Sequence, residues 1–344
     1  MKTFSLYNPC FLCPRNCGIN RECSFIQEQK RKFGYCGESS ALRLACASIH
    51  KGEEPPVSAS GGSGTIFVSG CNLGCVFCQN YQISLGLTSL SNPKIMQPPV
   101  ALGRIVDTAE FAQICLVLQG KGALNINIVT GSHAVPALVE GISAAKIQGL
   151  TIPVLWNSSA YELPETLNLL ADTVNVFLPD MKTLDNSLAG QYFNAPDYPL
   201  IAAAAIKKML NMKPLCVEKR TGKEKLVSGV MIRHLVLPGH LPASRKVLRW
   251  FADHCAGQAL LSLMFQYTPL DLTWNPKEVA PNRYITRSEY ETVFGWLAEF
   301  GIEDGYCQEL VPGNTDWLPD FERPNPFPSD LSVPVWHWST GFIP

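Results

Sequence analysis

Short β-branched and apolar runs alternate with longer helical stretches along most of this chain, and strict alternation of that kind admits few folds. The spacing predicts strands over 65–69, 125–130, 152–156, 174–178, 230–237 and 259–265, with helices near 100–120, 134–148, 163–171, 197–212, 243–255 and 286–300. Pro164 after Leu163 suits a helix start, and Thr286 with Glu289 forms a T-x-x-E capping box. Six such units imply parallel strands joined by right-handed crossovers, in an open doubly wound sheet or a barrel. In both, loops at the carboxyl ends of the strands form the active face. Polar residues gather there: Gly70–Asn80, Thr130-Gly131-Ser132-His133, Asn157-Ser158-Ser159, Asp180 with Lys182, Gly239-His240 and Gln266-Tyr267.

Composition removes several classes of function. With 28 Lys+Arg against 29 Asp+Glu, the formal charge of -1 supplies no field for nucleic acid or an anionic membrane. No apolar run approaches the roughly 18–20 residues of a membrane helix, and Met1-Lys2-Thr3-Phe4 opens no signal-peptide core. The expectation is a cytoplasmic protein. The patch Lys219-Arg220-Thr221-Gly222-Lys223-Glu224-Lys225 reads as a solvated hairpin tip, and Gly61-Gly62-Ser63-Gly64 as a turn.

In a reducing compartment the 13 cysteines point to metal or redox ligation rather than to disulfides. Nine of them fall within the first 78 residues. Cys115, Cys216, Cys255 and Cys307 stand singly in mixed apolar surroundings and read as small buried hydrophobes, as does Cys46. The main constellation is Cys71-x3-Cys75-x2-Cys78, directly after a strand. Three thiolates on one loop can each take a corner of an iron–sulfur cubane and leave the fourth metal position open. The spacing alone also fits part of a zinc site or a chance run. A second constellation, Cys10-x2-Cys13-x3-Cys17 with Cys36 further on, fits either a closed structural zinc site, the favoured reading, or a second iron–sulfur cluster. Cys23 is a spare ligand for it.

The loop Cys71–Cys78, with Phe77 before the last cysteine and Gln79-Asn80-Tyr81 after it, resembles the C-x3-C-x-aromatic-C signature of the radical S-adenosylmethionine (SAM) superfamily. Further stretches resemble its pyruvate formate-lyase activating enzyme-like group, in the branch with a Cys-rich N-terminal extension. They are Glu53-Glu54-Pro55-Pro56, Leu178-Pro179-Asp180-Met181-Lys182, Arg233 to Gly239 and Gln266-Tyr267. The resemblance implies a 4Fe-4S cluster on Cys71, Cys75 and Cys78, whose open iron chelates SAM. It implies reductive cleavage of SAM to a 5′-deoxyadenosyl radical that abstracts hydrogen from a substrate. Phe77, Gln79, Thr130, Gly131, Asn157, Asp180, Met181, Lys182 and Arg233 then become the expected cofactor-binding residues. Asp180-Met181-Lys182 matches the group's D-L-K segment, Asn157 falls at its ribose contact, and Lys182 or Arg233 would offset the cofactor's carboxylate. Two departures stand out: Thr130-Gly131-Ser132-His133 replaces the group's G-G-E-like segment, and Gln266-Tyr267 stands where its last strand supplies a histidine.

The sequence thus predicts an α/β protein: a partial (β/α)6 TIM-type barrel over 65–300, a Cys-rich N-terminal module over 1–64 and an extended C-terminal tail over 301–344. The tail's aromatic residues suit docking on the barrel. The expected substrate is a protein or peptide, with flavodoxin or ferredoxin as electron donor. A small-molecule substrate and a non-catalytic metal-binding role are the alternatives. No catalytic side chain beyond the cofactor site is predicted.

Overall fold

The structure, a computed structural model, describes residues 6–22, 34–59, 61–84, 102–220, 223–270, 280–311, 313 and 315–344. Cys23, Thr221 and Gly222 lie outside the described residues. The strands are β1 (Leu42–His50), β2 (Ser63–Val68), β3 (Arg104–Val106), β4 (Ile126–Val129), β5 (Val154–Ser158) and β6 (Val176–Pro179). They continue with β7 (Cys216–Arg220), β8 (Lys223–Leu235), β9 (Leu260–Met264), β10 (Gly305–Cys307), β11 (Ser332–His337) and β12 (Gly341–Phe342). All join one mostly parallel sheet, in the order β10-β9-β8-β6-β5-β4-β2-β1-β11-β12, with β3 on β1 and β7 on β8. Each of the six predicted strands is present as β2, β4, β5, β6, β8 or β9, and all pair in parallel.

Period-two alternation on these strands separates a helix-covered face from an inner one. On β4, Ile126 and Ile128 pack into the main core with Phe111, Ile114, Cys115 and Leu118 of the helix Thr108–Gly120. Val135, Leu138, Ile142 and Ala145 of the next helix, Val135–Ile147, join them at i, i+3, i+7 and i+10 spacing. Val129 packs instead into a second cluster with Phe67, and the Asn127 amide donates to Glu53 Oε1 at 3.1 Å. The first helix is capped by Asp107, which accepts from Glu110 N, and the predicted Thr286–Glu289 capping box opens the helix Arg287–Glu299.

Three features differ from the sequence reading. The sheet reaches back past residue 65: β1 runs antiparallel to β2, and its burial on both faces erases the alternation that would have marked it. The tail is partly a sheet edge, because β11 pairs antiparallel with β1, burying Trp336 completely, and its indole N–H donates to Glu110 Oε1 at 2.9 Å. Cys216 is exposed at the start of β7, unlike the buried Cys115 and Cys255. No helix among the described residues is long and apolar enough to cross a membrane.

Candidate active site

The cysteine loop leaves β2 through a turn that only glycine fits. Gly70 has φ +87°, and a Cβ there would lie 2.4 Å from Glu38 Cγ and 3.0 Å from the Cys36 carbonyl oxygen. Beyond it the loop is held at both ends. The Asn72 amide donates to the Tyr161 carbonyl at 2.7 Å, and Tyr81 N closes on the Cys78 carbonyl at 3.1 Å. Arg15, far away in sequence, grips the middle, donating to the carbonyls of Asn72 and Leu73 at 2.8 Å each and to those of Phe193 and Asn194 at 2.8 and 2.6 Å.

The three thiols form one electrostatic neighbourhood. Burial pushes the Cys75 thiol far above the ordinary range; Lys182 opposes this, while Cys78 and Cys71 add to it. Cys78 is pushed up to about 11 by burial and by Cys71, against a hydrogen bond from Ser84 Oγ at 3.4 Å. Buried neutral thiols in such a place become good ligands once a metal displaces their protons. Among the described residues no three His, Cys, Asp or Glu side chains converge on a single ion. A four-iron cube asks something different, since each thiolate takes its own corner. Three partly buried thiols on one loop, with the Lys182 ammonium acting on Cys75 and Cys78, fit that donor set.

Asp180 and Lys182 stand together just past β6, with Lys182 Nζ 2.6 Å from Asp180 Oδ2. Their neighbour Met181 is fully buried, and its side chain packs in the main core. Phe77 lies within an aromatic cage, its ring centroid 5.7 Å from Tyr192, 5.9 Å from Tyr267 and 6.0 Å from Phe193. Gln79 Nε2 donates to the Gln266 carbonyl at 3.0 Å, tying the cysteine loop to the chain after β9. Thr130 sits in the left-handed region at φ +64°, and its N–H donates to the Asn157 carbonyl at 2.9 Å. Gly131 makes room for Trp156, which a Cβ would meet at 2.5 Å. Strain of this kind in a non-glycine residue concentrates at functional strand ends.

Next to this loop the inner face borders an open cleft of about 400 Å³, lined by Asn80, Asn157, Gln266, Phe67, Met264 and Trp317. Glu53, Glu54 and Arg233 line one wall. Arg233 Nη2 donates to Glu53 Oε2 and Glu54 Oε2 at 2.5 Å each, and Nε to Glu54 Oε1 at 2.9 Å. Ser262 Oγ adds a bond to Glu54 Oε1 at 2.6 Å. Burial would raise the Glu54 carboxyl, but Arg233 outweighs it and holds the group below its ordinary value. Two carboxylates of the chain, those of Glu53 and Glu54, thus engage the Arg233 guanidinium. Sequence reading also missed Glu162, buried under β4 and β5 and accepting from Ser132 Oγ, Trp156 Nε1 and Ser158 Oγ at 2.6–2.8 Å. Burial raises its carboxyl despite those three donors. The only hint was a Glu close behind the polar run Asn157-Ser158-Ser159.

His133 and His234, both buried, are structural. His133 Nε2 bonds the Ser69 carbonyl at 2.8 Å, and His234 bonds the Met181 carbonyl and Ser244 Oγ. His240 pairs with the Tyr192 hydroxyl at 2.6 Å.

Residues 65–215, which include the cysteine loop, match the family model of the radical SAM superfamily. Over 300 residues it is 26% identical to Uncharacterized protein MJ0674 of Methanocaldococcus jannaschii, covering 87% of this chain and 77% of that one. Among solved structures it is similar to SuiB of Streptococcus suis bound to S-adenosylmethionine, at 13% identity and TM-score 0.44 over 70% of this chain and 48% of that one. The chain thus spans about half the length of SuiB. It is also similar to a radical SAM methyltransferase from Sphaerobacter thermophilus, at 15% identity and TM-score 0.46 over 72% of this chain and 66% of that one.

Proposed function

We propose that this chain is a radical SAM enzyme of the activating-enzyme-like kind, with Cys71, Cys75 and Cys78 as the protein ligands of a 4Fe-4S cluster. The observation that carries the reading is the three-thiol loop at the carboxyl end of β2, within the matched segment, beside the Asp180–Lys182 pair and an open cleft. When bound, the cluster supplies the electron for reductive cleavage of SAM, which leaves 5′-deoxyadenosine carrying a hydrogen drawn from the substrate. The chain's own residues bind and shield. Lys182 presents a permanent positive charge near the loop, because Asp180 and Cys75 outweigh the burial that would lower its basicity. Phe77 and its aromatic neighbours exclude water beneath an adenine-sized group, while Asn157 offers hydrogen bonds suited to a ribose.

The substrate proposed first is a protein or peptide, with a flavodoxin- or ferredoxin-type donor supplying the electron. The cleft favours a second reading, since about 400 Å³ with a charged wall is also the size of a small-molecule site. Anaerobic reconstitution with iron and sulfide, reduction, and assay for 5′-deoxyadenosine tests the enzyme itself. Cluster-dependent product is expected, and none from a fully iron-loaded chain would overturn the proposal. Deuterium transfer into 5′-deoxyadenosine from labelled peptides or labelled metabolites separates the two substrate readings.

A further inference from the structure

The open cleft beside the cysteine loop is uneven in charge. Its charged lining is Glu53, Glu54 and Arg233, two carboxylates against one guanidinium, and among the described residues no lysine or second arginine borders it. Its one histidine adds no charge at neutral pH. Burial, aided by Arg233, holds the His50 imidazole below its ordinary value against the pull of Glu53.

The two carboxylates are not equally engaged. Glu54 Oε1 accepts from Arg233 Nε and from Ser262 Oγ, and Glu54 Oε2 from Arg233 Nη2. Glu53 has one bond on each oxygen, from the Asn127 amide at 3.1 Å and from Arg233 Nη2 at 2.5 Å. A carboxylate offers about four acceptor sites, so about two stay open on Glu53. Its side chain is 13% exposed and borders the cleft. Aromatic rings border the same space. Gly52 lets Trp317 close on the chain beside Glu53, since a Cβ there would lie 2.7 Å from Trp317 Cζ3. The Phe327 ring centroid lies 4.7 Å from that of His50 and 5.7 Å from that of Phe67. A carboxylate with open acceptor sites among aromatic rings suits a cation, which gains from charge-assisted hydrogen bonds and from the ring quadrupoles together.

We propose that this cleft takes the substrate by a positively charged group, an alkylammonium or guanidinium, held by Glu53 and flanked by Trp317, Phe67 and Phe327. Calling the ligand a substrate rests on the enzyme reading above, whereas the preference for a cation does not. An acidic group would meet the excess negative charge, and a neutral group of the same shape would leave the open sites of Glu53 without a donor.

The test titrates the full chain, reconstituted anaerobically with iron and sulfide, in a calorimeter. The probes are capped tripeptides that differ only in a central lysine, norleucine or glutamate, and the free diamine cadaverine. The lysyl peptide or cadaverine should bind about tenfold or more tightly than the norleucyl peptide, as one charge-assisted hydrogen bond provides. The order of those two cations assigns the source, a peptide side chain or a small amine. Glu53→Gln should bring the lysyl peptide down to the level of the norleucyl one. Should that variant fail to fold, Trp317→Leu takes its place and should narrow the same ratio. An unchanged ratio in the folded variant, equal binding of the lysyl and norleucyl peptides, a preference for glutamate, or no binding of any probe would overturn the proposal. Displacement of the bound cation by SAM would overturn it too, because the acidic wall would then serve the cofactor. Production of 5′-deoxyadenosine without a cation preference refutes this proposal alone, and a cation preference without that product refutes the enzyme reading and leaves the cation site.

Discussion

Lys182 and Asp180 lie two positions apart past the end of β6 and meet in a 2.6 Å ion pair, each side chain about one-fifth exposed. A zwitterionic ligand finds both of its counter-charges in that one pair. Asp180→Ala and Lys182→Ala should therefore each weaken SAM binding by about 10- to 100-fold, the loss of one charge-assisted hydrogen bond of about 1.5–3 kcal/mol. Iron content should stay at the wild-type level, since neither residue is a cluster ligand. Equilibrium binding to anaerobically reconstituted variants checks this. Wild-type affinity in both would place the ligand on other loops.

Substituting any one of Cys71, Cys75 and Cys78 by Ala should abolish production of 5′-deoxyadenosine, because no other described cysteine lies on that loop to take its place. Product release from a triple Ala variant would end the ligand assignment.

Arg233→Met should destabilise the fold by about 3–5 kcal/mol, because it leaves two carboxylates buried beside an apolar group. Denaturant unfolding measures this. Arg233→Lys should recover only part of the loss, having no planar fork to span both partners. The pair also sets acid sensitivity. Glu54 is held below its ordinary value, so its contribution is present above an unfolded-state value of about 4.5 and fades as pH falls through the folded one. In the Met variant Glu54 loses that protection, and acid unfolding should begin at higher pH.

Glu162 gives the opposite slope. Its carboxyl is raised by burial, so the stability it allows is fully present below about pH 4.5 and declines as pH rises through its folded value. Glu162→Gln should flatten that decline, and unfolding curves of both proteins across the range would reveal it. Parallel curves would mean that the three donors, not the charge, govern this site.

The six βα units were legible because each strand alternates or runs apolar and each helix has a periodic face. Cys71, Cys75 and Cys78 were legible because their ligand spacing is local. The ion pairs of Arg233 are not legible for the reverse reason: its partners Glu53 and Glu54 lie 180 and 179 positions away, and only the fold brings them together. Strand β1 was hidden by burial on both faces, and β11 by a proline-rich context that reads as extended chain until its partner is known.

The Arg15 clamp has a consequence for how this molecule can be divided. One side chain at the start of the sequence satisfies carbonyls at Asn72, Leu73, Phe193 and Asn194, the last 179 positions distant. The segment that matches the superfamily is therefore not a portable unit. Cut free at residue 65, it would keep its cysteines and its strand but lose the donor that shapes the loop between them. Whatever the thiols hold, their spacing is set from outside the domain that carries them.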